Sequence, residues 1–263
     1  MIKAILAGLA ASFLLPAPSM AQSGFDGTWK GDLATVKFSQ KPDVYVLTTK
    51  VYKCLSCVPP VSVKADGAPH KVSGHPYYDS VAMKLVDGKT AHETDYKAGK
   101  IVTETTNTVS DDGKTLSFEF TDSSNSNAAP VTGKGSETRV AAGPKGAHAM
   151  SGSWKTAAFT GFSDNGLTVI YKVTGDSIAM SDLTGQSYTA KLDGTDAPMK
   201  GDPGITSVSV KKIGADTIEE TDKRKGKVIA VATMKLAPGG KAMSVTYEDK
   251  LRGSTLIYTA NKQ

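Results

Sequence analysis

The chain contains two copies of one pattern. Residues 61–122 align without gaps with residues 188–249 at a constant offset of about 127, with about 19 identities over about 62 positions, a domain-sized internal repeat. Identities include Asp66-Gly67 with Asp193-Gly194, Pro76 with Pro203, Glu93-Thr94-Asp95 with Glu220-Thr221-Asp222, and Gly113-Lys114 with Gly240-Lys241. A period this long predicts two copies of one fold, not a solenoid of small units.

Within each copy the apolar residues alternate. Leu116, Phe118 and Phe120 are separated by Ser117 and Glu119, and copy two repeats this as Met243, Val245 and Tyr247. Val81, Met83 and Leu85 alternate likewise, as do Leu167, Val169, Tyr171 and Val173. Successive side chains on a strand point to opposite faces, so this spelling predicts half-buried strands. Turn dipeptides such as Asp87-Gly88, Asp112-Gly113 and Asp193-Gly194 separate them, which predicts antiparallel hairpins. An open sheet of eight to ten strands per copy would leave exposed edges, and closure into a barrel removes them. The expected fold is therefore all-β, two tandem antiparallel up-and-down barrels.

The only two tryptophans head the copies, in Phe25-Asp26-Gly27-Thr28-Trp29-Lys30 and Met150-Ser151-Gly152-Ser153-Trp154-Lys155. A Gly-x-Trp at the start of the first strand resembles the lipocalin and fatty-acid-binding-protein superfamily, the calycins. That resemblance implies a lipocalin-like barrel in which Trp29 and Trp154 are structural and close one barrel end. It does not extend to the Arg-x-Tyr with which fatty-acid-binding proteins hold a carboxylate. Copy one has Arg139-Val140-Ala141 and copy two Leu256-Ile257-Tyr258, and residues 38–43 are too short for a helical lid. The chain also resembles exported bacterial proteins with paired lipocalin-like repeats, a likeness that carries no known activity.

Residues 1–21 read as a signal peptide: Lys3 supplies the charge, an apolar run of about twelve residues follows, and Ser19-Met20-Ala21 is a small-x-small cleavage site. That run falls short of the about 20 residues a membrane-spanning helix needs, and an outer-membrane barrel would not carry Ser, Thr, Lys and Glu on its second strand face. A periplasmic or secreted protein without a membrane span is expected, with a first barrel at 22–140, a linker at 141–149 and a second barrel at 150–263. Residues 123–136, rich in Ser, Asn, Gly and Pro, read as a long loop.

The net charge is +5 from 31 basic and 26 acidic residues, and only Arg139, Arg224 and Arg252 are arginines. Arginine is the preferred bidentate partner of phosphates and bases. The run Lys223-Arg224-Lys225-Gly226-Lys227 reads as a solvated hairpin turn, and a nucleic-acid partner is not expected. Cys54 and Cys57 stand close enough to pair in an oxidising compartment. A disulfide is expected, because no helix follows to activate a thiol and no histidine follows Cys57 for haem attachment. His70, His75, His92 and His148 are read as surface or hydrogen-bonded side chains, with no metal site. Glu93 and Asp95, like Glu220 and Asp222, share a strand face. They could do acid–base work if buried, but read as cross-strand partners of lysines beside the hairpin turns. No nucleophile elbow, zincin helix or phosphate loop is spelled, so neither catalytic residues nor a cofactor are assigned.

The leading functional expectation is binding of a small apolar or amphipathic ligand in one or both barrels, since barrels of this size can enclose one. The alternatives are a structural or interaction module with filled barrels, and a thiol-redox protein using Cys54 and Cys57. Copy one, with its cysteine pair and Tyr77-Tyr78, is the first place to look for a site.

Overall fold

The expected strands form where apolar residues alternate, and glycine turns reverse the chain between them. The computed structural model describes residues 23–125 and 127–263; the expected signal peptide lies outside them. The first half contains β1 (Gly27–Lys37), β2 (Asp43–Leu47), β3 (Val51–Cys54), β4 (Val61–Lys64), β5 (His70–Lys71), β6 (Ser80–Leu85), β7 (Thr90–Lys97), β8 (Lys100–Val109), β9 (Thr115–Asp122) and β10 (Val131–Ala142). The second contains β11 (Gly152–Phe162), β12 (Thr168–Thr174), β13 (Ser177–Asp182), β14 (Ser187–Lys191), β15 (Asp193–Pro198), β16 (Ser207–Lys212), β17 (Thr217–Arg224), β18 (Lys227–Leu236), β19 (Ala242–Asp249) and β20 (Ser254–Lys262). Strands β6 to β9 match β16 to β19 at the offset of the sequence repeat.

All strands fall into two ten-stranded antiparallel sheets, each curled into a nearly closed barrel. Their order was not legible in the sequence. One sheet runs β4-β3-β2-β11-β10-β9-β8-β7-β6-β5, the other β14-β13-β12-β1-β20-β19-β18-β17-β16-β15. The first strand of each half thus sits in the barrel built by the other half. β1 pairs with β12 and β20, with Trp29 opposite Val169 and Lys262. β11 pairs with β10 and β2, with Trp154 opposite Arg139 and Asp43. The copies drawn at 22–140 and 150–263 are sequence units, and hydrogen bonding regroups them by exchanging β1 and β11. Residues 38–42 do not turn β1 back onto β2; they carry the chain across to the other barrel. Near the seams Gly67 N–H donates to Met83 O at 3.0 Å, and Ser187 and Lys200 exchange two backbone bonds, so few edge groups stay unpaired.

Each barrel has its own core. Leu47, Met83, Leu116 and Trp154 are fully buried in the first, and Trp29, Ile178, Ile218 and Met243 in the second. Each such side chain contributes about 1.5–3 kcal/mol relative to exposure, so the interiors around the tryptophans are packed, not open. Trp29 Nε1 donates to Phe25 O at 2.8 Å and Trp154 Nε1 to Met150 O at 2.9 Å, satisfying both indoles without water. Gly27 and Gly152, two residues earlier, have φ of 127° and 139°, which accounts for the glycine in each Gly-x-Trp.

Residues 123–136 are not one long loop, because β10 begins at Val131. Its composition is small because Gly133 and Gly135 face large rings: a Cβ on Gly135 would lie 2.6 Å from Phe118, and one on Gly133 2.5 Å from Phe120. The space admits a cluster in which Phe118 meets Phe159 at 5.5 Å and Phe159 meets Phe162 at 5.3 Å between centroids.

Candidate functional site

Strand exchange fixes how the barrels meet. β1 runs from Trp29 toward Lys37, and β11 from Trp154 toward Phe162, so each leads from its tryptophan to the junction. Phe38 and Phe159 touch there, with ring centroids 5.6 Å apart. Arg252, in the β19–β20 turn, binds Asp43 Oδ1 at 2.7 Å and donates to Pro42 O at 3.2 Å. Tyr77 OH donates to Asp202 Oδ1 at 3.1 Å, and Asn127 N–H to Thr184 O at 2.8 Å.

A cleft of about 350 Å3 opens between these contacts. Copy one supplies Cys57, His75, Tyr77 and Tyr78; copy two supplies Arg224, Ile229, Tyr247 and Arg252. A second cavity of about 230 Å3 shares Tyr247, Asp249 and Arg252 with the cleft and adds Phe38 and Leu256. A third, of about 330 Å3, shares Phe38 and Leu256 with the second and is walled by Leu33, Val36, Phe159, Phe162 and Leu167. Neighbouring spaces share wall residues, so the three lie side by side, from an end with two guanidinium groups to an end that is aliphatic and aromatic apart from Asp32. Grooves of about 610 and 580 Å3 lie elsewhere, on outer strand faces around His92 and Glu104 and around Lys172 and Thr189.

The disulfide forms at Cys54–Cys57 and edges this cleft. Ser56, inside its loop, accepts from Val44 N–H at 3.0 Å and donates to Asp43 Oδ1 at 3.3 Å, tying the loop to the carboxylate that holds Arg252. His75 stacks on Tyr78 at 4.5 Å, and its partial burial lowers the imidazole pKa, favouring the neutral ring. The other histidines are elsewhere: His70 beside Asp66, His92 beside Thr106 and His148 on Asp87 O. Among the described residues no group of three or more His, Cys, Asp or Glu is arranged to hold a metal ion.

The repeated acidic pairs depart from their expected role. Glu93 and Asp95 face into the first barrel, opposite Met83 and Val81, and Glu220 and Asp222 face into the second, opposite Val210 and Val208. No lysine reaches them among the described contacts. Tyr52 OH donates to Glu93 Oε2 at 3.0 Å, and Tyr188 OH donates to Glu220. Burial, the largest cause, raises all four carboxyls: Glu93 to about 7, and Asp95 and Asp222 to about 8, the latter two pushed further by their Glu neighbours. Glu137 on β10 is raised to about 8 by burial and then by Asp43. Asp95 Oδ1, Asp222 Oδ1 and Glu137 Oε2 are buried without hydrogen-bond partners. A carboxyl in such a place is neutral at pH 7, because charge in a low-dielectric interior is costly.

The sequence missed Arg224 and Arg252 as site residues. Arg224 is part of the expected β17–β18 turn, but its Nε turns back to donate to Gly204 O at 2.6 Å and its side chain borders the cleft. The available signal was their rarity among the basic residues. The third arginine is occupied: Arg139 stacks 3.9 Å from the Trp154 ring and donates to Gly113, Ser151 and Ala149 carbonyls.

No protein family matches the chain, and neither curated proteins nor solved structures yield a match.

Proposed function

We propose that this is an exported binding protein that holds one small amphipathic molecule at the junction of its two barrels. The observation carrying this reading is the row of cavities between the barrels, polar at the Arg224 end and apolar at the Phe159 end. Binding sites typically enclose about 300–1,000 Å3 and combine apolar walls with a few placed polar groups; the cleft of about 350 Å3 lies in that range. The packed interiors around Trp29 and Trp154 favour the junction over the barrel centres as the place for a ligand. The apolar run in residues 4–15 supports export, and no helix among the described residues is long and apolar enough to cross a membrane. The Gly-x-Trp strands agree with a calycin-like origin, and the fold alone assigns no activity.

The test is titration with Nile red, a neutral dye that brightens in apolar surroundings. One dye per chain is expected to bind, and Val36→Trp, which fills the apolar end, is expected to reduce binding at least tenfold while thermal unfolding stays cooperative. Absence of dye binding, or equal binding by the folded variant, would remove the junction as the site.

A further inference from the structure

The junction carries information on ligand class. Among the three arginines of the chain, Arg224 and Arg252 both border the cleft, and they come from separate turns of the second barrel. Only part of each guanidinium is used. Arg224 spends Nε on Gly204 O, and its terminal nitrogens have no protein partner among the described contacts. Arg252 spends Nη2 on Asp43 and Pro42, and its Nε is buried with no partner. The guanidinium nitrogens without a protein partner among the described contacts, the terminal pair of Arg224 and Nη1 of Arg252, suit a planar oxyanion.

Asp43 offsets Arg252, while no carboxylate pairs with Arg224 among the described contacts. Asp202 accepts from Tyr77, Asn125, Gly204 N–H and Ile205 N–H, and Asp249 accepts from the backbone N–H groups of Leu251 and Arg252. Both are committed to holding turns. Asp95, Asp222 and Glu137, raised by burial, are neutral at pH 7. Beyond Arg252, the cavity bordered by Tyr247 and Leu256 lies next to the chamber of Leu33, Val36 and Phe159.

We infer that the ligand is an amphiphile with an anionic head, a carboxylate or similar oxyanion held between Arg224 and Arg252, and an apolar tail lying along the junction toward Phe159. This rests on the binding reading above and adds the chemical class. Because the two arginines belong to the second half and the disulfide loop, His75 and Tyr78 to the first, the site requires both halves.

The experiment compares octanoate, octan-1-ol and octylamine as displacers of Nile red from the full processed protein. Octanoate is expected to displace at a concentration at least tenfold below the alcohol, with the amine weakest. Arg224→Gln is expected to remove most of that preference, bringing the octanoate and octan-1-ol displacement concentrations to within about threefold of each other. Arg252→Gln should act likewise but also costs the Asp43 pair, so Arg252→Lys serves beside it, keeping charge and losing the fork. Equal displacement by all three, a preference for octylamine, or an octanoate preference untouched in folded Arg224→Gln would each overturn the anionic-head assignment while leaving the binding site standing. Displacement by none of the three would overturn both.

Discussion

Replacing Asp222 by Asn tests whether the acidic pairs are buried as neutral groups. Asp222 is 5% exposed, faces Val208 and Ala230 inside the second barrel, and lies beside Glu220. Its carboxyl is raised from 3.8 to about 8, chiefly by burial and then by Glu220. Folded protein therefore binds more protons than unfolded protein between those values. Stability linked to this group is fully present below pH 3.8, falls as pH rises, and levels off above about pH 8. A difference of that size in an isolated group corresponds to on the order of 5 kcal/mol. The measured effect should be smaller, because Glu220 and Asp222 share protons and titrate as a pair. Asn cannot ionise, and its amide can donate to Glu220 as the protonated Asp does. Urea unfolding at pH 5 and pH 9 is the assay. Relative to the parent, Asp222→Asn should be more stable by about 1.5 kcal/mol at pH 5, where the unfolded carboxyl is already ionised, and by about 3 kcal/mol or more at pH 9. Exposed turn aspartates such as Asp87, lowered by the backbone N–H groups of Lys89 and Thr90, have the opposite pH dependence but are common to both proteins and cancel. An equal difference at both pH values would refute the claim that this carboxyl is neutral in the fold.

Exchange of β1 predicts that Thr28→Cys with Ile170→Cys forms an intrachain disulfide, since these residues are register partners and opposed antiparallel residues lie about 4.5–5.5 Å apart, within disulfide reach; peptide mapping that finds no such bond would contradict the topology. Arg139→Met should cost about 2–4 kcal/mol, because it removes charge-assisted bonds to three carbonyls and a cation stacked on Trp154; a loss no larger than that of Lys262→Met, whose cation sits 5.2 Å from the Trp29 ring, would show that Arg139 is no clamp. Replacing Cys54 and Cys57 together by Ser should lower unfolding stability by roughly 2 kcal/mol, the chain-entropy value for so short a loop, and unchanged stability would mean the staple contributes nothing.

The strands were legible because alternation and glycine turns act locally. Leu116, Phe118 and Phe120 face inward as spelled, and the repeat offset reappears strand by strand. The Cys54–Cys57 pairing was legible from spacing and from the expectation of export. Strand exchange was not, because β1 presents the same alternating face to β2 as to β12, and nothing in periodicity chooses between them. The acidic pairs were misread because carboxylates usually face water. The corrective signal was parity: Glu93 and Asp95 fall on the face of Ala91, and Glu220 and Asp222 on that of Ile218, both buried. Residues 131–136 were read as loop because Gly133 and Gly135 are weak strand formers, and only the Phe118 and Phe120 rings opposite them explain the choice. The site itself was half legible. Cys57, Tyr77 and Tyr78 reach the cleft, but Arg224 and Arg252 come from the other copy, and no local pattern reports a surface made by two halves.

Native mass spectrometry of the protein purified from its native cells tests the junction site most directly. One non-covalent adduct per chain is expected, lost on denaturation and absent from folded Val36→Trp. A bare parent mass that also takes up no octanoate, or an adduct retained in full by Val36→Trp, would contradict it.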